Sequence, residues 1–191
     1  MKEEQYEREH NEEHITVAEC MLRNAFDSTI ANAAELICEC FDRGGKLLLC
    51  GNGGSAADAQ HISAEFVVRF ETNRRALPAI ALNTNGSILT ATANDFDADR
   101  IFSRQVEALG TEKDVLLAIS TSGNSANVIK AMEAAKEKGM KIISFLGRDG
   151  GKMKGIGDID IIIPCNTTSY IQEMHIMTAH IICGLVDRHY E

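Results

Sequence analysis

The apolar run Leu47-Leu48-Leu49-Cys50 stops at Gly51-Asn52-Gly53-Gly54, and Ser55-Ala56-Ala57-Asp58-Ala59-Gln60-His61-Ile62-Ser63-Ala64-Glu65 follows at once. A strand with no polar face has to be covered on both sides, which is the condition of a strand in a parallel sheet. The glycines let the backbone reverse in a tight turn. The residues after them favour a helix that packs back on the strand. Few architectures accept a buried strand, a glycine turn and a covering helix in such close succession.

The same alternation continues downstream. Short runs rich in Leu, Ile and Val predict strands at 46–50, 79–83, 114–119, 141–145 and 159–163. Helices are predicted at 55–70, 87–93, 98–109, 126–138 and 170–189, with glycine-rich or polar turns at 146–157 and 164–169. Ile30, Ala33, Ala34, Ile37 and Phe41 keep helical spacing, so 14–42 reads as one long helix ended by Gly44-Gly45. The fold class is α/β: one doubly wound domain with a five-stranded, mostly parallel sheet flanked by helices. The chain divides into a helical segment at 1–35 and the domain proper at 36–191, and 191 residues are enough for one such core.

The formal net charge of −9 disfavours a nucleic-acid partner, which calls for a basic stripe against phosphates. It leaves room for a small anionic substrate, because helix N-termini supply local positive potential. No apolar run reaches the ~20 residues that cross a bilayer. The acidic, polar N-terminus is not a signal or transit peptide. Six cysteines stand at 20, 38, 40, 50, 165 and 183 with no C-x-x-C pair, which suits reduced core thiols in a cytoplasmic protein.

Gly51-Asn52-Gly53-Gly54-Ser55-Ala56 fits G-x-G-x-x-A between a strand and a helix, the outline of a dinucleotide site. The next strand ends Leu82-Asn83-Thr84-Asn85, without the carboxylate that would hold a ribose, and no lysine follows the glycines as in a P-loop. What remains is a tight turn whose Asn52 and exposed N–H groups suit a polar ligand. A second strand-to-helix turn, Ser120-Thr121-Ser122-Gly123-Asn124-Ser125, gathers four hydroxyls at a helix start. One or two would serve as an N-cap, whereas four suit a phosphate.

His61 and Glu65, at i and i+4, share a helix face. By themselves they read as a solvated pair. The closing helix adds Gln172-Glu173-Met174-His175 and His180 within an otherwise apolar segment. Helical spacing aligns His180 with Glu173 better than with Gln172, so periodicity does not choose its inward partner. His175 fits a core or a surface position equally. Asn94-Asp95 follows a helical run, where it caps the next segment or reaches a substrate hydroxyl.

From about Leu36 onward the chain resembles the sugar isomerase (SIS) domain family, and more narrowly its sedoheptulose 7-phosphate, or phosphoheptose, isomerases. The stretches 50–55, 60–65, 93–96, 119–128 and 171–175, with His180, carry the likeness. The resemblance implies an aldose–ketose isomerase that makes D-glycero-D-manno-heptose 7-phosphate through an enediolate, as a precursor for lipopolysaccharide or another glycoconjugate. By the same likeness Glu65 is the base and His180 its acid/base partner. Ser120, Thr121, Ser122 and Ser125 hold the phosphate. Asn52, Gly53, Gly54, Ser55, Asn94, Asp95 and Gln172 contact the substrate. Zinc on His61, Glu65, Gln172 and His180, one ion per subunit, and a homotetramer with active sites built across subunit contacts are also implied. Members commonly carry Arg where this chain has Tyr170. A non-catalytic relative, which associates with a replication initiator, resembles the stretches 69–72 and 77–84, but lacks a carboxylate at position 65 and a histidine at position 180.

Overall fold

The computed structural model describes residues 3–23 and 26–191. Its five-stranded sheet contains β1 (Leu47–Cys50), β2 (Ala79–Ala81), β3 (Val115–Ser120), β4 (Lys141–Gly147) and β5 (Ile159–Ile163). The strands lie in the order β2-β1-β3-β4-β5, and every neighbouring pair is parallel. Parallel neighbours require a crossover connection, and the helices supply it. They are α1 (Glu3–Arg23), α2 (Phe26–Asp42), α3 (Gly54–Val67), α4 (Gly86–Asp95), α5 (Ser103–Leu109), α6 (Ala126–Glu137) and α7 (Thr168–His189).

Strand alternation sorts the apolar residues into two layers. Leu47, Leu49, Val115, Leu117, Ile119, Ile143 and Phe145 face one side, where they meet Ile37 and Phe41 of α2, Ile62 and Phe66 of α3, and Met174 and Ile182 of α7. Leu48, Cys50, Leu116, Ala118, Ile142 and Leu146 face the other, against Phe102 just before α5, Val106 within it, and Val128, Ala131 and Met132 of α6. Each such large side chain taken out of water contributes about 1.5–3 kcal/mol. Cys38, Cys40, Cys50 and Cys183 are buried and behave as small apolar groups; burial alone pushes the Cys50 thiol up to about 12.

Three helix readings need correction. The N-terminal helix does not begin at residue 14 but at Glu3, because the acidic stretch before it is helical without carrying an apolar stripe. Residues 24–25, in the middle of the predicted 14–42 helix, lie outside the described residues. The predicted 98–109 helix is a 3₁₀ turn (Ala98–Arg100) followed by α5. Asn94 and Asp95 are the last two residues of α4 and do not cap the next segment. That role falls to Asp97, which accepts from the Asp99 N–H at 3.0 Å.

Candidate active site

In an open parallel sheet, ligands bind beyond the carboxyl ends of the strands where the winding direction reverses. Here the chain leaves β1 for β2 on one side and returns to β3 on the other, so the reversal lies between β1 and β3. The two loops leaving those ends are 51–53 and 121–125, the two turns that stood out in the sequence. Reciprocal hydrogen bonds of 2.9 Å between the Asn52 and Asn127 side chains join them. Asn127, the second residue of α6, had no motif to single it out.

Both helices that open on this crevice lack a side-chain cap. Gly53, at φ +57°, precedes α3 and can offer none. Ser125 occupies the N-cap position of α6, but its hydroxyl is bonded to Ser120 Oγ at 2.9 Å instead. The plain capping role for the hydroxyl loop is therefore not the one it plays. Elsewhere Asn85 caps α4 in the ordinary way, accepting from the Ile88 N–H at 3.1 Å. Uncapped first turns leave N–H donors for an anion. Ser55 and Ser120 are buried, whereas Thr121, Ser122 and Ser125 are half-buried at the rim. Asn124 braces the loop by donating to the Ser122 carbonyl at 2.7 Å and accepting from Lys152 N–H at 3.2 Å.

A second cluster of polar groups stands farther along, at the seam between α3 and α7. His61 Nε2 lies 3.0 Å from Glu65 Oε1, and the His61 ring stands edge-on to His180 with centroids 5.1 Å apart. His61 thus touches both groups expected to move protons. Phe70 stacks on the His180 ring, with centroids 5.3 Å apart. A Cβ on Gly54 would come within 2.4 Å of Gln172 Nε2, so the Gln172 carboxamide lies directly over the start of α3. Glu173 turns instead to His14 of α1, with Nδ1 and Oε2 2.6 Å apart. Gln172 thus meets α3 and Glu173 meets α1, while Glu173 and His180 also line one cavity.

Buried His175 bonds the Leu146 carbonyl at 3.0 Å through Nε2, and burial pulls its imidazole down to about 4, so it is neutral and structural. Asn94 and Asp95 are exposed and bonded to each other at 2.7 Å. Tyr170, buried, places its hydroxyl 2.9 Å from His10 Nδ1. Asp58, one turn before His61, has a buried oxygen without a hydrogen-bond partner, and burial raises its carboxyl. Among the described residues no three His, Cys, Asp or Glu side chains stand together closely enough to hold a metal ion. Nor, among the described residues, is any helix long and apolar enough to cross a membrane.

The SIS domain family profile matches residues 15–147. The phosphoheptose isomerase of Shewanella sp. (strain ANA-3) is 54% identical over 167 residues, covering 86% of this chain and 85% of that relative. The structure of a phosphoheptose isomerase from Francisella tularensis superposes with a TM-score of 0.94 at 37% identity, covering 98% of this chain and 100% of that one. That of the enzyme from Neisseria gonorrhoeae gives 0.90 at 43% identity, again over 98% and 100%.

Proposed function

The chain belongs to the SIS-domain family and, within it, to the phosphoheptose isomerases; on that premise we propose that it interconverts sedoheptulose 7-phosphate and D-glycero-D-manno-heptose 7-phosphate. The observation that carries the catalytic reading is the meeting of Glu65 and His180 at His61 on the α3–α7 seam. Glu65 lies ~16 Å down α3 from the glycine turn, so in this reading the seam serves a sugar held by the loops of a neighbouring subunit. The alternative of a non-catalytic relative is not favoured, because both groups are present.

The hydroxyl loop and the first N–H groups of α6 hold the phosphate, without a lysine or arginine in the loop. Asn52, Gly53, Gly54 and Ser55 face the sugar from the glycine turn, with Gln172 above them. Glu65 removes a proton from C1 while His180 delivers one to O2, which gives a cis-enediol. His180 then takes the O1 proton and Glu65 returns its proton to C2, completing the aldose. Fixed donors around O1 and O2 stabilise the charge that develops there.

Two imidazoles, a carboxylate and a carboxamide form a donor set that suits zinc. His61, Glu65, Gln172 and His180 would hold it once their side chains draw closer than they stand in this structure, and a bound ion would supply Lewis-acid polarisation of the carbonyl and its neighbouring hydroxyl. Calorimetric titration with zinc, compared between the native chain and a His61→Ala variant, tests this assignment independently of turnover. We also propose a homotetramer, in which Asn94 and Asp95 reach substrate across a subunit contact. Sedimentation at micromolar concentration tests it.

The reaction itself is tested by incubating the purified protein with the seven-carbon ketose phosphate in deuterated water. Deuterium should appear at C2 of the aldose and C1 of recovered ketose. Absence of both exchange and aldose would remove the proposal.

A further inference from the structure

Between α3 and β2 the chain runs through residues 68–78 without regular structure, and one buried ion pair organises the first half of that passage. Arg74 Nε lies 2.9 Å from Asp187 Oδ1, with the two side chains 0% and 2% exposed. The rest of the Arg74 fork points at the end of α3. Nη2 donates to the Glu65 carbonyl at 2.7 Å, and Nη1 donates to the Phe66 carbonyl at 2.8 Å and the Arg75 carbonyl at 3.1 Å. Asp187 belongs to α7, and its Oδ2 accepts from the backbone N–H groups of Glu71 and Thr72 at 2.9 and 3.1 Å. Burial raises the Asp187 carboxyl, but these N–H donors and Arg74 outweigh it and hold the group below the usual carboxylate range.

The two ends of this bracket are the two elements that carry the acid and base. Arg74 caps the helix at Glu65 itself. Asp187 lies seven residues, about two helical turns, beyond His180 on α7. Phe70, adjacent to the residues that Asp187 holds, stacks on the His180 ring. The arrangement reaches both proton-moving groups from behind without touching the crevice.

Stability alone is a weak reason for such a pair, because buried charges lose hydration that their attraction barely returns. The protein holds a useful comparison in Lys46 and Asp114. There, too, a buried carboxylate takes a side-chain cation at 2.7 Å and backbone N–H groups of Lys46 and Thr111 at 2.8 Å each. That pair also lies at the amino end of the strands, but its partners include none of the site residues.

We propose that Arg74 and Asp187 are positioning residues for the isomerisation, setting the separation of Glu65 and His180 by tying the end of α3 to α7. The inference rests on the assignment of those two groups as acid and base. The guanidinium fork is essential to it, since a lysine offers no planar set of donors for Asp187 and two helix carbonyls at once.

The test measures kcat, KM, C1-proton exchange and thermal melting for the full-length enzyme and four variants. Arg74→Lys and Asp187→Asn should lower kcat and exchange about 10- to 100-fold, with KM within about 3-fold, as expected from an error in placement near 1 Å. Asp114→Asn should lower the melting temperature but leave kcat unchanged well below it. Phe70→Leu, outside the ion pair, should lower kcat about 10-fold and keeps the test open if the pair variants fail to fold. Folded Arg74→Lys and Asp187→Asn enzymes with wild-type kcat overturn the proposal. So does a folded Phe70→Leu enzyme with wild-type kcat, should the pair variants not fold, or an Asp114→Asn enzyme that loses kcat equally. An inactive wild-type protein would instead overturn the underlying assignment of acid and base.

Discussion

At the hydroxyl loop almost every group is held by another. Ser120 and Ser125 bond each other, Asn124 braces Ser122, and Gly123 packs so tightly that a Cβ there would lie 2.0 Å from the Gly150 carbonyl oxygen. At the α3–α7 seam the imidazole of His61 is 47% exposed, bonded to Glu65 and edge-on to His180. The two regions lie toward opposite ends of α3 and answer different demands. A phosphate takes no part in the bond changes, so donors fixed in advance serve it best. Groups that pass a proton among C1, C2, O1 and O2 have to serve several atoms in turn, and a seam braced from behind leaves them that freedom.

If this contrast is right, damage to the seam should be read in kcat and damage to the loop in KM or in the fold. The largest effect belongs to Glu65→Gln and His180→Ala. Each should cut kcat about 10²–10⁴-fold in the isomerisation assay, with a normal melting curve. Wild-type rates in both would erase the distinction. Next is Gly123→Ala, where a residue at φ +63° meets backbone it cannot displace. A loss of about 3 kcal/mol is expected, visible as a melting temperature lower by about 10 °C. Ser120→Ala should raise KM about 10-fold and leave kcat nearly unchanged, as one hydrogen bond to a charged group is lost. Gly54→Ala offers the converse of Gly123→Ala. Its Cβ meets the end of the flexible Gln172 side chain, so the melting temperature should move by less than about 3 °C while zinc or substrate affinity falls.

The last effect, on stability alone, concerns the joint between the regions. His175 connects α7 to the carbonyl of Leu146 at the end of β4. Its imidazole titrates near 4 in the folded protein, below the ordinary 6.5, so between those values the unfolded chain binds more protons. The His175 contribution should therefore fall as pH drops from about 6.5 toward about 4 and level off below, where the depressed Asp114 and Asp187 carboxyls continue the loss. A His175→Gln variant followed by urea unfolding across that window should show a shallower slope.

Much of the scaffold was legible because buried parallel strands advertise themselves as apolar runs between glycine turns. Both crevice loops were legible for the same reason, and the strand order then explains why they are neighbours. What escaped the sequence depends on contacts between distant segments. Gln172 meets α3, while Glu173 meets the N-terminal helix through His14. Asp97 displaced Asp95 as a cap because α4 runs farther than its apolar residues indicate. Arg74 and Asp187 are separated by 113 positions, and in one dimension each is an ordinary surface charge.

The Asn52–Asn127 clasp has a chemical lifetime. Asn52 precedes Gly53, and an asparagine followed by glycine is where slow deamidation proceeds most readily, since no side chain hinders ring closure by the next backbone nitrogen. Each carboxamide in the clasp gives one hydrogen bond and takes one. Conversion of Asn52 to a carboxylate would remove its donor, set oxygen against oxygen, and add a negative charge beside two helix starts that await an anion. Aged preparations of this protein should therefore lose substrate affinity long before they lose their fold.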